Sequence, residues 1–304
     1  MRVLVTGATG TIGRALARAL LERGDRVSAL TRDPERARRL LGEQVQVTAW
    51  PDPQGGPPPQ RPIEEADALV NLLGEPVAQR WTEPARRRIR DSRVLGTRWL
   101  VAGLKACGER RPSVLISQSA TGWYGPRGDE RLDEGAANGG DFLATVVAEW
   151  EREARAAEAL TRVVRTRTGV VLSAGDGALA KMLPFFRLGI GGPVAGGHQY
   201  VPWVHIDDVV RAIIFCIDDE RAAGAVNVTA PNPVTNADLA RALGRVLRRP
   251  AVLPVPAMAV RLLYGEMATM VTTGQRALPA RLLELGFGFE HPEIEEALSD
   301  VLGG

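Results

Sequence analysis

Cysteine is almost missing from this chain: Cys107 and Cys216 are the only two. They stand far apart in apolar helical stretches, which excludes a disulfide framework and a cysteine metal cluster and fits a reducing, cytoplasmic compartment. No other metal-ligand spacing is seen, so no metal site is expected. An excess of charge of one sign is missing too. The 38 basic and 36 acidic residues leave a net charge of +2, and the longest basic run, Arg86 to Arg88, lies on a helical stretch, so nucleic acid is not an expected partner. No apolar run reaches the ~20 residues that cross a bilayer, and Met1 leads straight into a strand with no basic and apolar leader. Neither export nor a membrane partner is expected from that pattern. Lysine is confined to Lys105 and Lys181. With 304 residues, 45% of them apolar, the chain suffices for one large or two modest domains around a normal core.

Glycine, by contrast, is placed with purpose at the start. The apolar strand Val3, Leu4, Val5 runs into Gly7, Gly10 and Gly13, and an amphipathic helix follows with Leu16, Ala19 and Leu20 on one face and Gly24 as its stop. Glycines at this spacing allow a sharp turn, a close approach of phosphate to backbone, and close packing of helix on strand. The unpaired N–H groups at the helix start then favour an anion. A second strand, Arg26 to Thr31, ends in Thr31 and Arg32 where an NAD site usually places an acid for the ribose hydroxyls. Arg32 suits a 2′-phosphate instead, and Asp33 before Pro34 is explained as a helix cap, so NADP(H) is the expected cofactor.

Later strand ends repeat the pattern. Asn71, Leu72, Leu73, Gly74 close a fourth strand, and a fifth runs from Val114 to Ser117. Beyond it stand Gln118, Ser119, Ala120, Thr121, Gly122, Trp123, Tyr124 and Gly125, a polar and aromatic cluster at the carboxyl edge where parallel sheets bind ligands. A hydroxyl there can stabilise charge on a substrate carbonyl oxygen. The proline-crowded stretch from Trp50 to Pro62 reads as a surface loop, with Trp50 open to either adenine stacking or plain packing. Glycines from Gly189 to Gly197 suggest a flexible lid over the cleft. His205 reads as an orienting hydrogen-bond group, since no neighbouring Ser, Cys or acid completes a relay.

The run Thr6-Gly7-Ala8-Thr9-Gly10-Thr11-Ile12-Gly13, with Ser119-Ala120-Thr121-Gly122-Trp123-Tyr124-Gly125, resembles the extended short-chain dehydrogenase/reductase superfamily. A narrower resemblance spans nearly the whole chain. Asn71-Leu72-Leu73-Gly74-Glu75, Arg80-Trp81, Ser92-Arg93, Glu149-Trp150-Glu151, Arg167 to Leu172 and Pro202-Trp203-Val204-His205 look like the atypical NAD-dependent epimerase/dehydratase-like family. So do Gly274-Gln275-Arg276 and Leu285-Gly286-Phe287 of its family-specific C-terminal segment. The resemblance implies a doubly wound Rossmann α/β sheet over residues 1–172, with a return segment near 201–230, and a smaller C-terminal α/β lobe over 173–304. It implies cofactor contacts from Gly7, Gly10, Thr11, Ile12, Gly13, Thr31, Arg32, Leu72, Leu73, Gly74, Arg93, Ser117, Gly169, Val170 and Val171. Ser119 matches the superfamily's carbonyl-binding serine. The superfamily's Tyr-x-x-x-Lys pair, however, is replaced by Leu143 and Val147, which leaves Tyr124 as the nearby candidate acid. The expected activity is an NADP-dependent oxidoreductase or epimerase-like reaction on a small carbonyl or sugar-nucleotide substrate, with a homodimer compatible with the sequence. A non-enzymatic NADPH-binding sensor or assembly factor is the competing reading.

Overall fold

The computed structural model describes residues 1–175 and 177–303. Its centre is a seven-stranded parallel sheet made from β1 (Arg2–Thr6), β2 (Arg26–Thr31), β3 (Gln46–Ala49), β4 (Ala68–Asn71) and β5 (Val114–Ala120), followed after the short β6 (Arg131–Leu132) by β7 (Arg162–Thr168) and, further on, β11 (Gly224–Val228). The strand order β11-β7-β5-β4-β1-β2-β3 reverses direction between β1 and β4, and that reversal opens a crevice at their carboxyl ends. The expected Rossmann architecture is therefore present.

Alternation along each strand builds the two layers. Val3 and Val5 of β1, Val70 of β4 and Ile116 of β5 face one core with α1 (Thr11–Glu22) and α7 (Ile206–Asp218), while Leu4, Leu69 and Leu115 face the other with α4 (Glu83–Ala106). A strand buried on both faces reads as a continuous apolar run, as these do. The remaining helices of this part are α2 (Pro34–Leu41), α3 (Gln60–Glu64) and α5 (Phe142–Arg155). Helix α3 corrects the reading of Trp50 to Pro62 as loop throughout. Pro62 lies in its first turn, where a missing N–H costs no helical bond.

The C-terminal part packs α6 (Gly177–Arg187), α8 (Asn236–Leu247) and α12 (Ile294–Leu302) around a core of its own. Short strands stitch the parts together: β8 (Val170–Leu172) pairs with β10 (Trp203–His205), β9 (Tyr200–Val201) with β12 (Val234–Thr235), and β6 with β13 (Arg276–Ala277). Helices α9 (Ala257–Tyr264), α10 (Thr269–Thr272) and α11 (Ala280–Glu284) complete it. The glycine run does not act as an open lid. A Cβ on Gly192 would lie 2.0 Å from the Leu253 carbonyl oxygen and one on Gly191 2.6 Å from the Phe186 ring, so these glycines serve close packing.

Candidate active site at the sheet switch point

The turn between β1 and α1 is built around Gly7. Its φ is +67°, and a Cβ there would stand 2.4 Å from the Leu72 carbonyl oxygen; one on Gly13 would stand 2.5 Å from the oxygen of Gly7. Neither position tolerates a side chain. The N-cap of α1 is Gly10, which has no side chain to cap the helix, and no acid lies in the first turn. The positive end of the helix thus faces the crevice without an internal anion, as a diphosphate site requires. Thr11 and Ile12 form the first turn itself.

At the end of β2, the Asp33 carboxylate accepts the Arg36 N–H at 3.0 Å and caps α2, while Thr31 Oγ1 accepts the N–H of Asp33. The acid is spent on the helix. Arg32 is exposed, and no hydrogen bond or ion pair engages its side chain among the described residues. Trp50 is 2% exposed, packed in the α4-side core with its indole N–H bonded to the Gly56 carbonyl, which settles it as packing.

Between β1 and β4 a buried polar chain fixes the crevice floor. Thr6 Oγ1 donates to Asn71 Oδ1 at 2.8 Å, and Asn71 Nδ2 donates to Thr97 Oγ1, which also accepts the Trp150 indole N–H. Leu72 is held by its N–H to the Thr6 hydroxyl and carbonyl oxygens, and Leu73 follows. Arg93 lies beside Gly74, its Nη2 3.0 Å from where a Cβ on that glycine would sit. Its Nη1 donates to the carbonyls of Glu75 and Ile89, and burial drags its pKa down to about 10. The half-buried guanidinium also lies 5.3 Å from the centroid of the Trp150 ring, and its hydrogen-bond partners among the described residues are backbone carbonyls, which leaves it well placed for an anionic or polar ligand group.

The edge of β5 separates into unmet and occupied groups. Ser117 is 1% exposed, lies in register with Asn71, and its Oγ has no hydrogen-bond partner among the described residues; neither has the buried Oε1 of Gln118. Buried polar atoms are rarely left unpaired, and two at one edge of the crevice fit a polar ligand there. Ser119 is different. It is also 1% exposed, but its hydroxyl donates to Glu151 Oε1 at 2.8 Å. Glu151 is further bound by Arg167 through Nε at 2.8 Å and Nη2 at 3.1 Å, and by Arg165 and Arg155. Arg167 lies 4.0 Å from the centroid of the Trp123 ring and donates to the Tyr124 hydroxyl, which in turn donates to Asn227 Oδ1 at 2.7 Å. Burial, opposed by Arg167 and Asn227, pushes the Tyr124 phenol up to about 12. The Asn227 N–H then meets Glu134, whose carboxylate also accepts the Arg281 N–H. Both hydroxyls read as catalytic in the sequence are thus inside one closed network. Across from them, Leu143 and Val147 pack 3.6 and 3.7 Å from where a Gly122 Cβ would stand, an apolar surface where the superfamily's acid pair would be.

Gly169 is held by its N–H to Val228 and leaves 2.0 Å between a hypothetical Cβ and the Pro202 carbonyl; Val170 and Val171 continue as β8 against β10. His205 makes an orienting hydrogen bond as expected, but the expectation that no acid stands near it is corrected: Asp300 Oδ2 lies 3.2 Å from its Nε2 and Asp207 Oδ2 3.9 Å from its Nδ1. Its Nδ1 accepts the Asp207 N–H, capping α7, and its ring stacks 3.8 Å from that of His291. Asp208, fully buried, accepts the N–H groups of Glu290 and His291 and so ties the C-terminal segment to the same corner.

These residues can be set against known proteins. Residues 3–229 match the profile of the NAD dependent epimerase/dehydratase family. The chain belongs to that family. Residues 255–301 of this epimerase-family chain match a second profile, described as a domain of unknown function (DUF1731). The human epimerase family protein SDR39U1 is 35% identical over 307 residues, covering 99% of this chain and 100% of the relative. The chloroplastic SDR39U1 homolog of Arabidopsis thaliana is 37% identical over 310 residues, covering 99% and 87%. A crystal structure of human SDR39U1 (isoform 2) with NADPH superposes with a TM-score of 0.89 at 33% identity, covering both chains fully. The UDP-glucuronic acid 4-epimerase of Bacillus cereus, at 16% identity and a TM-score of 0.77, shares the fold. The family and fold expected from the sequence motifs are borne out.

Glu151, Arg167 and Asn227 carry no role in the sequence reading. The available signal was Arg165 and Arg167 alternating in an otherwise buried strand, since buried arginines require a buried acid.

Proposed function

We propose that this chain binds NADP(H) at the switch point and acts as an oxidoreductase or epimerase-like enzyme on a small carbonyl or sugar-nucleotide substrate. The observation that carries it is the end of β2: Arg32 has no partner among the described residues while Asp33 is committed to a cap. A guanidinium there gains a charge-assisted pair with a 2′-phosphate that NAD lacks. The human relative solved with NADPH supports the same choice. Gly7, Gly10, Thr11, Ile12 and Gly13 would cradle the diphosphate, Thr31 and Arg32 the adenosine ribose, and Leu72, Leu73, Gly74 and Arg93 the crevice wall. Ser117 would meet the nicotinamide half with its unpaired hydroxyl, and Gly169, Val170 and Val171 would lie along it. The bound cofactor supplies hydride chemistry. In this reading Ser119 and Tyr124 are positioning residues that hold the end of β5 through Glu151 and Arg167, and do not themselves touch substrate.

A second reading, an NADPH-binding sensor or assembly factor, is favoured by the apolar pair Leu143 and Val147 and by the closed network around Tyr124. Absorbance at the reduced nicotinamide band, followed with a panel of carbonyl compounds and sugar nucleotides, separates the two. The enzyme reading expects slow consumption of NADPH with some panel members, reduced at least tenfold in Ser117→Ala. No turnover above the uncatalysed rate, with tight NADPH binding intact, favours the sensor reading.

A further inference from the structure

Two stretches of the chain, residues 177–206 and 239–265, contain no Asp or Glu at all, although acids and bases are nearly balanced overall. They meet in space. The Val255 N–H donates to the Pro193 carbonyl, the Ala195 N–H donates to the Val255 carbonyl, and Val194 and Val255 form a β-bridge. The end of α6 and the helix α9 therefore flank one seam, and their apolar side chains turn outward. Leu188 is 73% exposed, Val252 75%, Met258 74% and Leu262 78%, with Ile190 and Leu263 also open. Of the residues in α9, only Val260 is buried.

A helix apolar on nearly every side belongs under cover. Nearly all of α9 is exposed, so the face it offers is broad. Its charge identifies that partner. Arg187 and Arg261 directly precede Leu188 and Leu262 in the chain, Arg248 and Arg249 line a shallow hollow together with Val252, and none of the four has a side-chain partner among the described residues. A second copy of the chain docked on this face would bring arginines of one sign together with no acid in either stretch to receive them. Phosphate headgroups over an apolar interior match both features at once.

We propose that the α6–α9 face is a peripheral docking surface for an anionic lipid bilayer, with Leu188, Met258 and Leu262 entering the headgroup boundary and the four arginines pairing with lipid phosphates. This departs from the expectation of no membrane partner. That expectation rested on the lack of a spanning segment, and no helix among the described residues is long and apolar enough to cross a membrane. Lying on a bilayer needs only a short apolar face beside basic residues.

Co-sedimentation with phosphatidylglycerol-rich vesicles and with pure phosphatidylcholine vesicles, at low and high salt, tests the surface. The full chain is expected to sediment with the anionic vesicles, weakly or not at all with the neutral ones, and less at high salt. Leu262→Asp and the double change Arg248→Glu, Arg249→Glu should each lower partitioning about tenfold or more while far-UV circular dichroism and the melting transition stay at wild-type values. Equal binding to both vesicle types, or none to either, overturns the proposal. A dimer seen by analytical ultracentrifugation and lost in Leu262→Asp, with no vesicle binding, overturns it in favour of a second copy.

Discussion

Glu151 is a single carboxylate holding together a serine on one strand and arginines on the next, all out of water. Removing one partner of a buried ion pair leaves the others desolvated and unpaired, which costs about 3–5 kcal/mol. Glu151→Ala is expected to lose stability in that range in urea titrations; a loss within the error of the titration would mean that solvent reaches Arg167. The same network decides what Tyr124 does. Tyr124→Phe deprives Asn227 and Arg167 of a partner and should cost about 1–3 kcal/mol while leaving NADPH affinity unchanged. An undiminished melting transition with abolished turnover would instead place the phenol against substrate. Because the folded phenol titrates near 12 against an ordinary 10.0, its contribution is complete below pH 10 and is lost as pH rises toward 12.

The β1 to α1 turn is an element that tolerates almost no change. Gly7→Ala puts a Cβ against the Leu72 carbonyl and forces an alanine to a φ of +67°, so it should destabilise by more than about 1 kcal/mol and remove measurable NADPH binding together. Loss of stability with binding retained would show that the turn does not form the cofactor cradle. At the other junction, the His205 cap depends on a neutral ring. Burial first, and the neighbouring His291 second, hold His205 below its ordinary value of 6.5. Below that value the unfolded chain takes up a proton that the folded chain resists, so stability contributed here is present above pH 6.5 and falls as pH drops through the lowered folded value. Chemical denaturation across that range should show the fall in the wild type and a flatter profile in His205→Gln. Identical profiles would remove His205 as its source.

Across the whole molecule, the parts written in local patterns were legible. Gly7, Gly10 and Gly13 after an apolar strand and the Asp33 cap follow from spacing and propensity alone. What depends on long-range contact was not. The roles of Ser119 and Tyr124 are set by Glu151, Arg167 and Asn227, which approach from other elements, and the role of the Gly189 to Gly197 run is set by the 250–255 segment packed against it. The choice of cofactor, by contrast, rests on one strand end and one side chain. Calorimetric titration of the wild type and Arg32→Glu with NADPH and NADH therefore shows whether that side chain selects the cofactor. NADPH should bind the wild type more tightly than NADH, and Arg32→Glu should weaken NADPH by about tenfold or more while changing NADH little. Equal affinities in the wild type, or equal losses for the two cofactors in the variant, would contradict that selection.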